Sequence, residues 1–595
     1  MRNPLIKQAA LALAGIFASV MFAGATAWAN EAEQTEKKDA VALGQITVTA
    51  RKKAENVQKV PVSMDVATQE DLDQAGIRDL AELIPHTSNV YLSAGTPENK
   101  VVIRGITTFN SSLYSPAGFY VDDIPFPLMA MQQYNFMDVD RVEVLKGPQG
   151  TLFGRNSSSG LIHVITHQPG NELRANLKGE YAEYNTYRLT GNVSGPLVKD
   201  RFYAGLSLQK WDSDGFIENK AFNDEKASDK DQFSGRLTLR WTPSERWDIQ
   251  AVSYGFQARD GYGMYRFSDG AYATEPYTIN QRIKDQYIDQ DTFMQSVKTS
   301  YSGNSVDVLM VAGFVDYSMN ARMDGDVGVS SSCASYIDQS DKQGSVELRV
   351  SSKDDGSPFS WLLGAAAFSE DSDYTFSTKA LSGALWYSQN TQVDTTSAAL
   401  FGQVGYTLFE RLHLNAGIRF DSQNHSGTLK DAVSGGRYED DLDFNEILPR
   451  LSISYDLLPQ MMVYASASRG YMSGGFNTYA NLYYEDVDKV FDPEYTWNYE
   501  VGLKSTWFDG RLLANLALFY IDISDKQVSE IHPQYNVGQT RNAASAHSMG
   551  LELELQARPV QGLELSAGLG LNETEIDDWK DLAFNSETNT YEPYD

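Results

Sequence analysis

The sequence predicts an all-β transmembrane barrel that follows a small α+β domain, and three observations support that prediction. The chain begins with the pattern of a cleavable export signal. A compact segment rich in glycine and β-branched residues comes next. From about residue 171 onward, long stretches alternate between apolar and polar residues, which is the period of a strand with two unlike faces. Together these patterns indicate a small folded stopper, here called the plug, in a large barrel.

The first 29 residues have the layout of a secretory signal peptide. Basic residues precede an apolar run over 9–27, and a small-x-small triplet ends at Ala29. Beyond this point no run reaches the roughly 18 apolar residues that a spanning helix needs, so membrane crossing has to use strands. Residues 30–43 are short, polar and charged, which predicts a flexible tether.

Composition narrows the classes of partner. The chain has 595 residues, with 79 Asp and Glu against 49 Lys and Arg, for a formal net charge of −30. That acidic balance argues against nucleic acid as a partner. Cys333 is the only cysteine, which excludes a disulfide framework. The 12% aromatic content suits a barrel with aromatic girdles, although an acidic soluble all-β protein has a similar composition.

A short β-prone segment, GQITVTA, stands at 44–50, where the tether ends. An extended segment with free backbone groups is suited to capture by the edge of another protein's sheet. The alternative is an ordinary first strand of the plug. Either way, the segment is expected to be extended.

The plug is predicted to span residues 51–170. Residues 68–83 favour a helical pair that begins at an N-capping threonine and is interrupted at Gly76. Two β-branched runs, 142–145 and 161–166, flank a connection rich in glycine and serine. This part therefore indicates a strand, a long tight turn and a second strand.

Residues 171–595 carry the barrel pattern. Apolar Leu237, Leu239 and Trp241 alternate with Arg236, Thr238 and Arg240. The same alternation places Glu500 and Glu552 on polar faces. A soluble sandwich also alternates, but the long series of strands behind an export signal favours lipid outside and a polar lumen inside. Short connections alternate with long polar ones, for example roughly 319–341 and 421–446.

Three ordered motifs carry a resemblance to a known family. They are VVIRGI at 101–106, FYVDDIPF at 119–126 and DVDRVEVLKGPQGTLFGRNSSSGLIHVITHQ at 138–168. In this order they resemble the plug domain of TonB-dependent outer-membrane receptors. The resemblance implies a plug in the lumen of a barrel of about 22 antiparallel strands.

The resemblance also assigns a role to the segment at 44–50, which occupies the position of the family's TonB box. The predicted box residues are Gln45, Ile46, Thr47, Val48, Thr49 and Ala50. Through this box the TonB–ExbB–ExbD complex would supply energy. The polar end at 589–595 does not resemble the family's closing strand. We therefore expect a C-terminally incomplete barrel that lacks roughly four to six strands, at about ten residues per strand.

Four charged residues resemble the cluster with which this family locks its plug. Arg104 and Lys146 are cations on predicted plug strands, and Glu500 and Glu552 face the predicted lumen. The family commonly has arginine where Lys146 stands. Lysine makes a single-point contact in place of a bidentate one, which predicts a looser lock. The alternative is that all four are merely lumen-facing charges.

Loops rich in aromatic, Met and Asn residues at 107–118 and 125–138 are candidates for the substrate-facing tip. The segment SASRGYMSGGFN, which begins at Ser466, resembles siderophore receptors of the pesticin and yersiniabactin type. Packing against the barrel wall is the alternative role for each of these side chains. The candidates for substrate binding are Tyr114, Phe126, Met129, Met131, Gln132, Tyr134, Tyr471 and Phe476.

The predicted function is active transport across the outer membrane by a monomer embedded in lipid. GxxxxGK[ST], GxSxG and HExxH patterns are absent from the sequence, which favours a transporter over an enzyme. We expect no resident cofactor or metal, with iron only as chelated cargo. A ferric siderophore is the family's commonest substrate; the alternatives are cobalamin, haem, another chelate or an oligosaccharide. Rivals from other classes are a passive porin or adhesin barrel and an outer-membrane hydrolase.

Overall fold

In a computed structural model of the chain, a small mixed domain lies inside a long antiparallel sheet. The structure describes residues 46–49, 51–93, 100–108, 113–263, 265–326, 329, 333–480, 482–484, 487–532, 538–579, 581–585 and 590–594. The signal peptide and the tether predicted at 1–43 lie outside these residues. None of the helices within the described ranges is long and apolar enough to cross a membrane.

In the part of the plug that the structure describes there are nine short strands and three short helices. The strands are β1 Thr47–Val48, β2 Glu55–Asn56, β3 Met64–Thr68, β4 Val90–Ser93, β5 Lys100–Ile103, β6 Ala117–Val121, β7 Ile124–Pro125, β8 Val139–Lys146 and β9 Gly160–Thr166. The helices are α1 Gln69–Ala75, α2 Leu80–Leu83 and α3 Gly150–Phe153, with single helical turns at Val57–Lys59, Ile84–His86 and Met129–Gln132.

The predicted helices and strands of the plug are confirmed, but the connection predicted as a turn between β8 and β9 contains the short helix α3. Thr68 caps α1 in a capping box with Asp71, and Gly76 ends it with a φ of 69°, a conformation that glycine adopts without strain. Strands β8 and β9 pair across the glycine-rich connection. They lie at the centre of a five-stranded sheet with the order β3-β8-β9-β6-β7.

The barrel wall follows as a series of long strands. They are β10 Arg174–Ala182, β11 Thr186–Val198, β12 Phe202–Ser213, β13 Glu218–Asn219, β14 Lys230–Ser244, β15 Trp247–Gly261, β16 Thr278–Ile279, β17 Tyr287–Ser302, β18 Val306–Asp324, β19 Cys333–Ser352, β20 Phe359–Ala380, β21 Leu385–Leu408, β22 Leu412–Asp431, β23 Arg437–Leu458, β24 Met461–Met472, β25 Gly475–Phe476, β26 Val490–Phe491, β27 Glu494–Trp507, β28 Leu512–Ile531, β29 Gly538–Val560, β30 Leu563–Trp579, β31 Asp581–Asn585 and β32 Thr590–Tyr594.

Seventeen of these strands form one sheet in chain order, from β10 to β30, whereas the resemblance implies about 22. The remaining strands form the separate pairs β13–β16, β25–β26 and β31–β32. Within the described ranges, β10 and β30 do not pair with each other. The wall is therefore open between these two strands in the part of the chain that the structure describes.

The wall has the polarity of a membrane barrel. On β14, Leu237 and Leu239 are 42% and 36% exposed, whereas Arg236 and Thr238 are 3% and 2% exposed. Apolar side chains outside and polar ones inside reverse the pattern of a soluble sandwich, and they match lipid around a polar lumen. The predicted alternation is confirmed.

The long connections are shorter than the sequence predicts. Strands β18 and β19 cover most of the predicted loop 319–341, and only 432–436 separate β22 from β23 within 421–446. These regions are polar, but neighbouring strands satisfy each other's backbone groups wherever they pair. The backbone hydrogen bonding between neighbouring strands therefore continues through segments whose side chains are hydrophilic.

The plug and the wall share one apolar core. Phe119 and Val144 of the plug belong to the same buried cluster as Tyr254 on β15 and Val315 on β18. The ring of Tyr134 lies 5.2 Å from that of Tyr254, measured between centroids. Burial on this side fixes the plug against β15 to β18.

Candidate functional site

The segment predicted as the TonB box is folded back onto the plug. Thr47 and Val48 pair antiparallel with β2, and the Val57 amide donates to the Ile46 carbonyl at 3.0 Å. The Val48 side chain is fully buried. The segment is extended as predicted, but its backbone is paired and not free, because β2 offers partners and the plug core accepts Val48.

A buried carboxylate holds the end of this segment. The Thr49 amide donates to the two carboxylate oxygens of Glu143 at 2.9 and 3.1 Å. Arg141 donates to Glu143 at 2.8 Å. Burial raises the pKa of Glu143, although Arg141 and Thr49 oppose that shift. Gln45 and Ala50, the outer residues of the predicted box, lie outside the described residues.

A second group of contacts joins the plug to the far wall. The Arg104 guanidinium donates to Glu552 at 2.9 and 2.8 Å and to Glu500 at 2.8 Å. It also lies 4.1 Å from the centre of the Phe519 ring. Burial alone would lower the pKa of Arg104, but Glu552 and Glu500 raise it above its usual value. The structure thus brings together three of the four residues proposed as a lock.

Further donors satisfy both carboxylates. Ser63 donates from its amide to Glu500 at 2.9 Å and from its hydroxyl to Glu552 at 2.5 Å. Tyr464 donates to Glu500 at 2.7 Å, and Asn89 to Glu552 at 3.2 Å. Buried charges are tolerated when they are paired and fully hydrogen-bonded. Sequence reasoning missed these donors because Ser, Tyr and Asn are common residue types that lie far apart in the chain.

The backbone around Arg104 explains how its side chain reaches the wall. Arg104 and Gly105 have φ angles of 54° and 76°, so the chain turns sharply where β5 ends. A Cβ on Gly105 would lie 2.4 Å from the Thr574 side chain. Only glycine fits there, which gives the Arg-Gly pair of VVIRGI a structural reason.

Lys146 does not take the position that the sequence predicts. Its ammonium lies 2.7 Å from Asp65 and 2.6 Å from the Ser88 hydroxyl, both in the plug. Among the described residues it makes no direct ion pair with Glu500 or Glu552. Its direct ion pair is with Asp65 on the paired strand β3, although the charge of Glu552 also helps to raise the pKa of Lys146. A role of Lys146 in the lock stays a prediction.

A second ion cluster, which the sequence analysis did not identify, lies on another side of the plug. Asp123 contacts Lys298 at 2.7 Å and Arg349 at 2.9 Å. Glu347 contacts Lys52 at 2.7 Å and also pairs with Arg349. The Asp123 cluster, defined as these five residues, joins the plug to β17 and β19. Lys298 and Arg349 hold the pKa of Asp123 well below its usual value, against the effect of burial.

The DD pair of FYVDDIPF positions this cluster. Asp122 and Asp123 have positive φ angles of 50° and 74°, as in the two-residue turns that join hairpin strands. Asp122 accepts hydrogen bonds from the amide and the hydroxyl of Thr166 at 2.9 and 2.6 Å. The turn is thereby anchored to β9, and Asp123 extends toward the wall.

Three of the predicted substrate-binding residues line one cavity. Met129, Gln132 and Tyr134 lie around a space of about 340 Å³ between the plug and the wall, together with Trp211. Among the described residues, the buried indole nitrogen of Trp211 has no hydrogen-bond partner. Such a cavity has the aromatic lining and polar handle of a ligand pocket.

The other candidates are buried in contacts within the protein. Phe126 and Met131 belong to the shared core, and Tyr471 and Phe476 are 0% and 5% exposed. Tyr114 donates to Glu370 at 2.8 Å. In this conformation the packing alternative describes these five side chains, and their role in substrate binding stays a prediction.

The fold and the site define an outer-membrane barrel whose lumen is closed by a plug fastened to the wall. A family model described as "TonB dependent receptor-like, beta-barrel" matches residues 166–593. A "TonB-dependent Receptor Plug Domain" model matches residues 56–161. The chain belongs to the TonB-dependent receptor family and is a protein of the Gram-negative outer membrane.

Individual relatives and solved structures share a low sequence identity with this chain. The pesticin receptor of Yersinia pestis is 24% identical over 548 residues, which cover 89% of this chain and 77% of that protein. The ferric-pyoverdine 358 receptor of Pseudomonas putida is 20% identical, with 90% and 68% covered. The solved structure of the ferric yersiniabactin uptake receptor from Yersinia pestis has a TM-score of 0.79 at 22% identity, with 87% of this chain and 80% of that chain covered.

Proposed function

We propose that this protein is an active importer of a ferric siderophore across the outer membrane, energised through TonB. A relative named for ferric pyoverdine supports this class of cargo. A similar solved structure is named for ferric yersiniabactin uptake. Iron enters this proposal as chelated cargo, and the proposal requires no resident cofactor.

One observation carries the active mechanism. The ion cluster of Arg104, Glu500 and Glu552 is buried and fully hydrogen-bonded between plug and wall. A plug held in this way blocks diffusion, so transport requires work on the plug. A passive pore has no use for such a fastening. The work is proposed to come from TonB–ExbB–ExbD in the inner membrane.

The proposed handle is the segment at 44–50. Its described part is a two-residue strand that pairs only with β2 among the described residues. A partner strand could replace that short pairing by β-augmentation. The pull would then reach the plug through Thr49 and the residues that follow it.

The proposed docking region is the cavity around Met129, Gln132, Tyr134 and Trp211. Because it lies between the plug and the ends of β12 and β15, a ligand bound there would contact both the plug and the wall. A ligand there could favour one arrangement of plug and wall over another, provided that it binds the two arrangements with different affinity.

Deletion of residues 44–50 tests the active mechanism. We expect cells to bind the iron chelate normally and to lose its uptake, because the deletion removes the handle and leaves the binding surface intact. Radioactive iron bound at 0 °C and accumulated at 37 °C measures the two steps separately. Unchanged uptake would support a passive pore.

A panel of chelates tests the cargo. Cells that depend on this protein for iron are grown with ferric yersiniabactin, ferric pyoverdines, haem and ferric citrate, and cobalamin uptake is measured in parallel. Growth on one siderophore class supports the proposal. Uptake of cobalamin alone would contradict the proposed cargo and leave the proposed mechanism in place.

A further inference from the structure

A third group of plug–wall contacts surrounds Glu370 on β20. Its Oε2 atom accepts a hydrogen bond from the Tyr114 hydroxyl at 2.8 Å and another from the Arg155 guanidinium at 3.1 Å. Tyr114 belongs to the predicted substrate-facing loop 107–118, and Arg155 belongs to the glycine-rich connection between β8 and β9. The Glu370 side chain is fully buried, and that of Arg155 is 10% exposed. This one carboxylate therefore fastens two separate segments of the plug to the wall.

A second acidic side chain is buried beside Glu370. Asp341 on β19 is 0% exposed. In the pair of β19 and β20 it lies opposite Ser372, while Glu370 lies opposite Gln343, so the two acidic residues are diagonal neighbours on the lumen face. Their carboxyl groups are within hydrogen-bonding reach of each other. The wall thus presents two buried carboxyl groups in contact, and not one, to the plug.

The hydrogen bonds of this pair cannot be completed while both groups are ionised. An ionised carboxylate only accepts hydrogen bonds. In that state, both oxygens of Asp341 and the Oε1 atom of Glu370 are buried without a partner among the described residues. Two negative charges in contact also repel each other strongly where water does not screen them. Within the same ranges, Arg155 is the only cation that forms an ion pair with either group.

One proton on Asp341 removes both difficulties. It supplies a donor for Oε1 of Glu370, and it leaves a single negative charge to balance Arg155. Glu370 is the group that stays ionised, because Tyr114 and Arg155 already donate to it and such hydrogen bonds favour the ionised form. The buried Ser372 hydroxyl lies near Asp341 and is available to donate to its second oxygen. Every member of the group then has a hydrogen-bond partner, as buried polar groups require.

The other titratable groups around the pair do not supply a second positive charge. Tyr317 on β18 lies opposite Asp341, and Tyr471 and His425 of the wall lie near Arg155. A tyrosine is neutral or negative but never positive. In the part of the chain that the structure describes, the hydrogen bonds of His425 go to uncharged side chains. The proton is therefore the simplest way to balance the charge of this group.

From these contacts we propose that Asp341 carries a proton in this conformation and is a positioning residue for the plug. It donates to Glu370 and so holds that carboxylate where Tyr114 and Arg155 reach it. The consequence for import rests on the proposed function, because only a transported cargo requires these plug segments to leave β20. The proton and its role in holding the plug do not depend on the identity of the cargo.

Infrared spectroscopy tests for the proton. Spectra of the purified full chain in detergent are recorded at neutral pH, and the spectrum of Asp341→Asn is subtracted from that of the parent. We expect the difference to contain the carbonyl-stretch band of a protonated carboxyl group. Asp371→Asn is the matched control, because Asp371 follows Glu370 in the chain but is exposed; it should lose only the bands of an ionised carboxylate. The same result for Asp341→Asn would refute the proton.

Hydrogen exchange tests the positioning role. Exchange at the amides of residues 113–117 and 154–159 is followed by mass spectrometry in the parent, Asp341→Ala and Asp341→Asn. We expect exchange about tenfold faster in Asp341→Ala, since the loss of one buried hydrogen bond loosens the hold on the plug. Asp341→Asn should match the parent, because its amide group donates to Glu370 as the protonated acid does. Unchanged exchange in Asp341→Ala, or equally fast exchange in both variants, would overturn the positioning role.

These outcomes are separate from those that test the proposed function. Neither measurement uses cargo or an energy source, so both remain decisive if the deletion of residues 44–50 leaves uptake unchanged and the active mechanism fails. Conversely, the absence of a protonated Asp341 refutes this inference and leaves the proposed importer in place. Iron uptake by Asp341→Asn should equal that of the parent protein.

Discussion

The plug touches the wall through two ion clusters that differ in their surroundings. In the Arg104 cluster the side chains of Arg104, Glu500 and Glu552 are 0%, 0% and 4% exposed. In the Asp123 cluster, Lys298 is 30% exposed and Asp123 is 7% exposed. A cavity of about 20 Å³ adjoins the first cluster, and one of about 460 Å³ adjoins the second.

This difference predicts that the two clusters differ in the free energy needed to open them. Breaking a dry ion pair leaves a charge without water, which makes the Arg104 cluster costly to open. A partly hydrated pair can exchange a protein partner for water or for a charged solute at lower cost. We therefore expect the pair of Lys298 and Asp123 to open at lower cost than the Arg104 cluster, although Lys52 and Arg349 of the same cluster are only 1% and 6% exposed.

Arg104→Met should have the largest effect, because it leaves Glu500 and Glu552 buried without their cation. We expect a loss of about 3–5 kcal/mol in plug stability, measured by urea unfolding and by protease cleavage within the plug. In a protein that already carries Glu500→Gln and Glu552→Gln, the same change should cost much less. An equal cost in both proteins would show that the cluster does not hold the plug.

Glu500→Gln should have a smaller effect, because Arg104 keeps its bonds to Glu552. We expect a loss of about 2–3 kcal/mol in plug stability. We also expect greater entry of a large antibiotic such as vancomycin, measured as the sensitivity of cells to it. Glu554→Gln is the control: this glutamate lies on the same strand as Glu552 but accepts from Asn515 at 3.0 Å. Unchanged antibiotic entry in Glu500→Gln would contradict the fastening role.

Lys146→Met should weaken the plug without loosening it from the wall. Its partner Asp65 is 21% exposed, so we expect a loss of about 1–2 kcal/mol in plug stability. Antibiotic entry should not change. If antibiotic entry rises as much as in Glu500→Gln, Lys146 acts in the lock after all.

The pH dependence of Lys146→Met gives a further check. Burial raises the pKa of Asp65, and Lys146 opposes that shift. Without Lys146 the folded-state pKa rises further, so the folded protein binds a proton at a pH where the unfolded chain does not. Stability then increases as pH falls through the raised pKa. The deficit against the parent protein should shrink on mild acidification; a constant deficit would contradict this.

Lys59→Met should have the smallest effect. Its pair with Asp456 also joins plug and wall, but Lys59 is 47% exposed. Exposed pairs contribute about 0–1 kcal/mol, so plug stability and antibiotic entry should match those of the parent. A large loss would mean that burial does not distinguish the clusters.

Much of the fold and part of the site were predictable. The alternation on β14 and the capped helix after Thr68 depend on neighbours within a few residues, and the structure confirms both. Arg104, Glu500 and Glu552 were predicted to share the lumen, and the structure places them in contact. The Asp65 partner of Lys146 was not predicted, because pairing between β3 and β8 brings together strands about 80 residues apart in the chain.

The sequence by itself predicted an export signal and determined the period of the strands and the polarity of their faces, since each depends on residues close together in the chain. Tertiary structure alone decided which charges meet. Lys52 and Glu347 are separated by 295 positions, and whether such a pair is dry or lies beside a chamber depends on the space between two packed bodies. Local periodicity carries no information about that space, because cavities form only where side chains from distant segments fail to fill the volume between them.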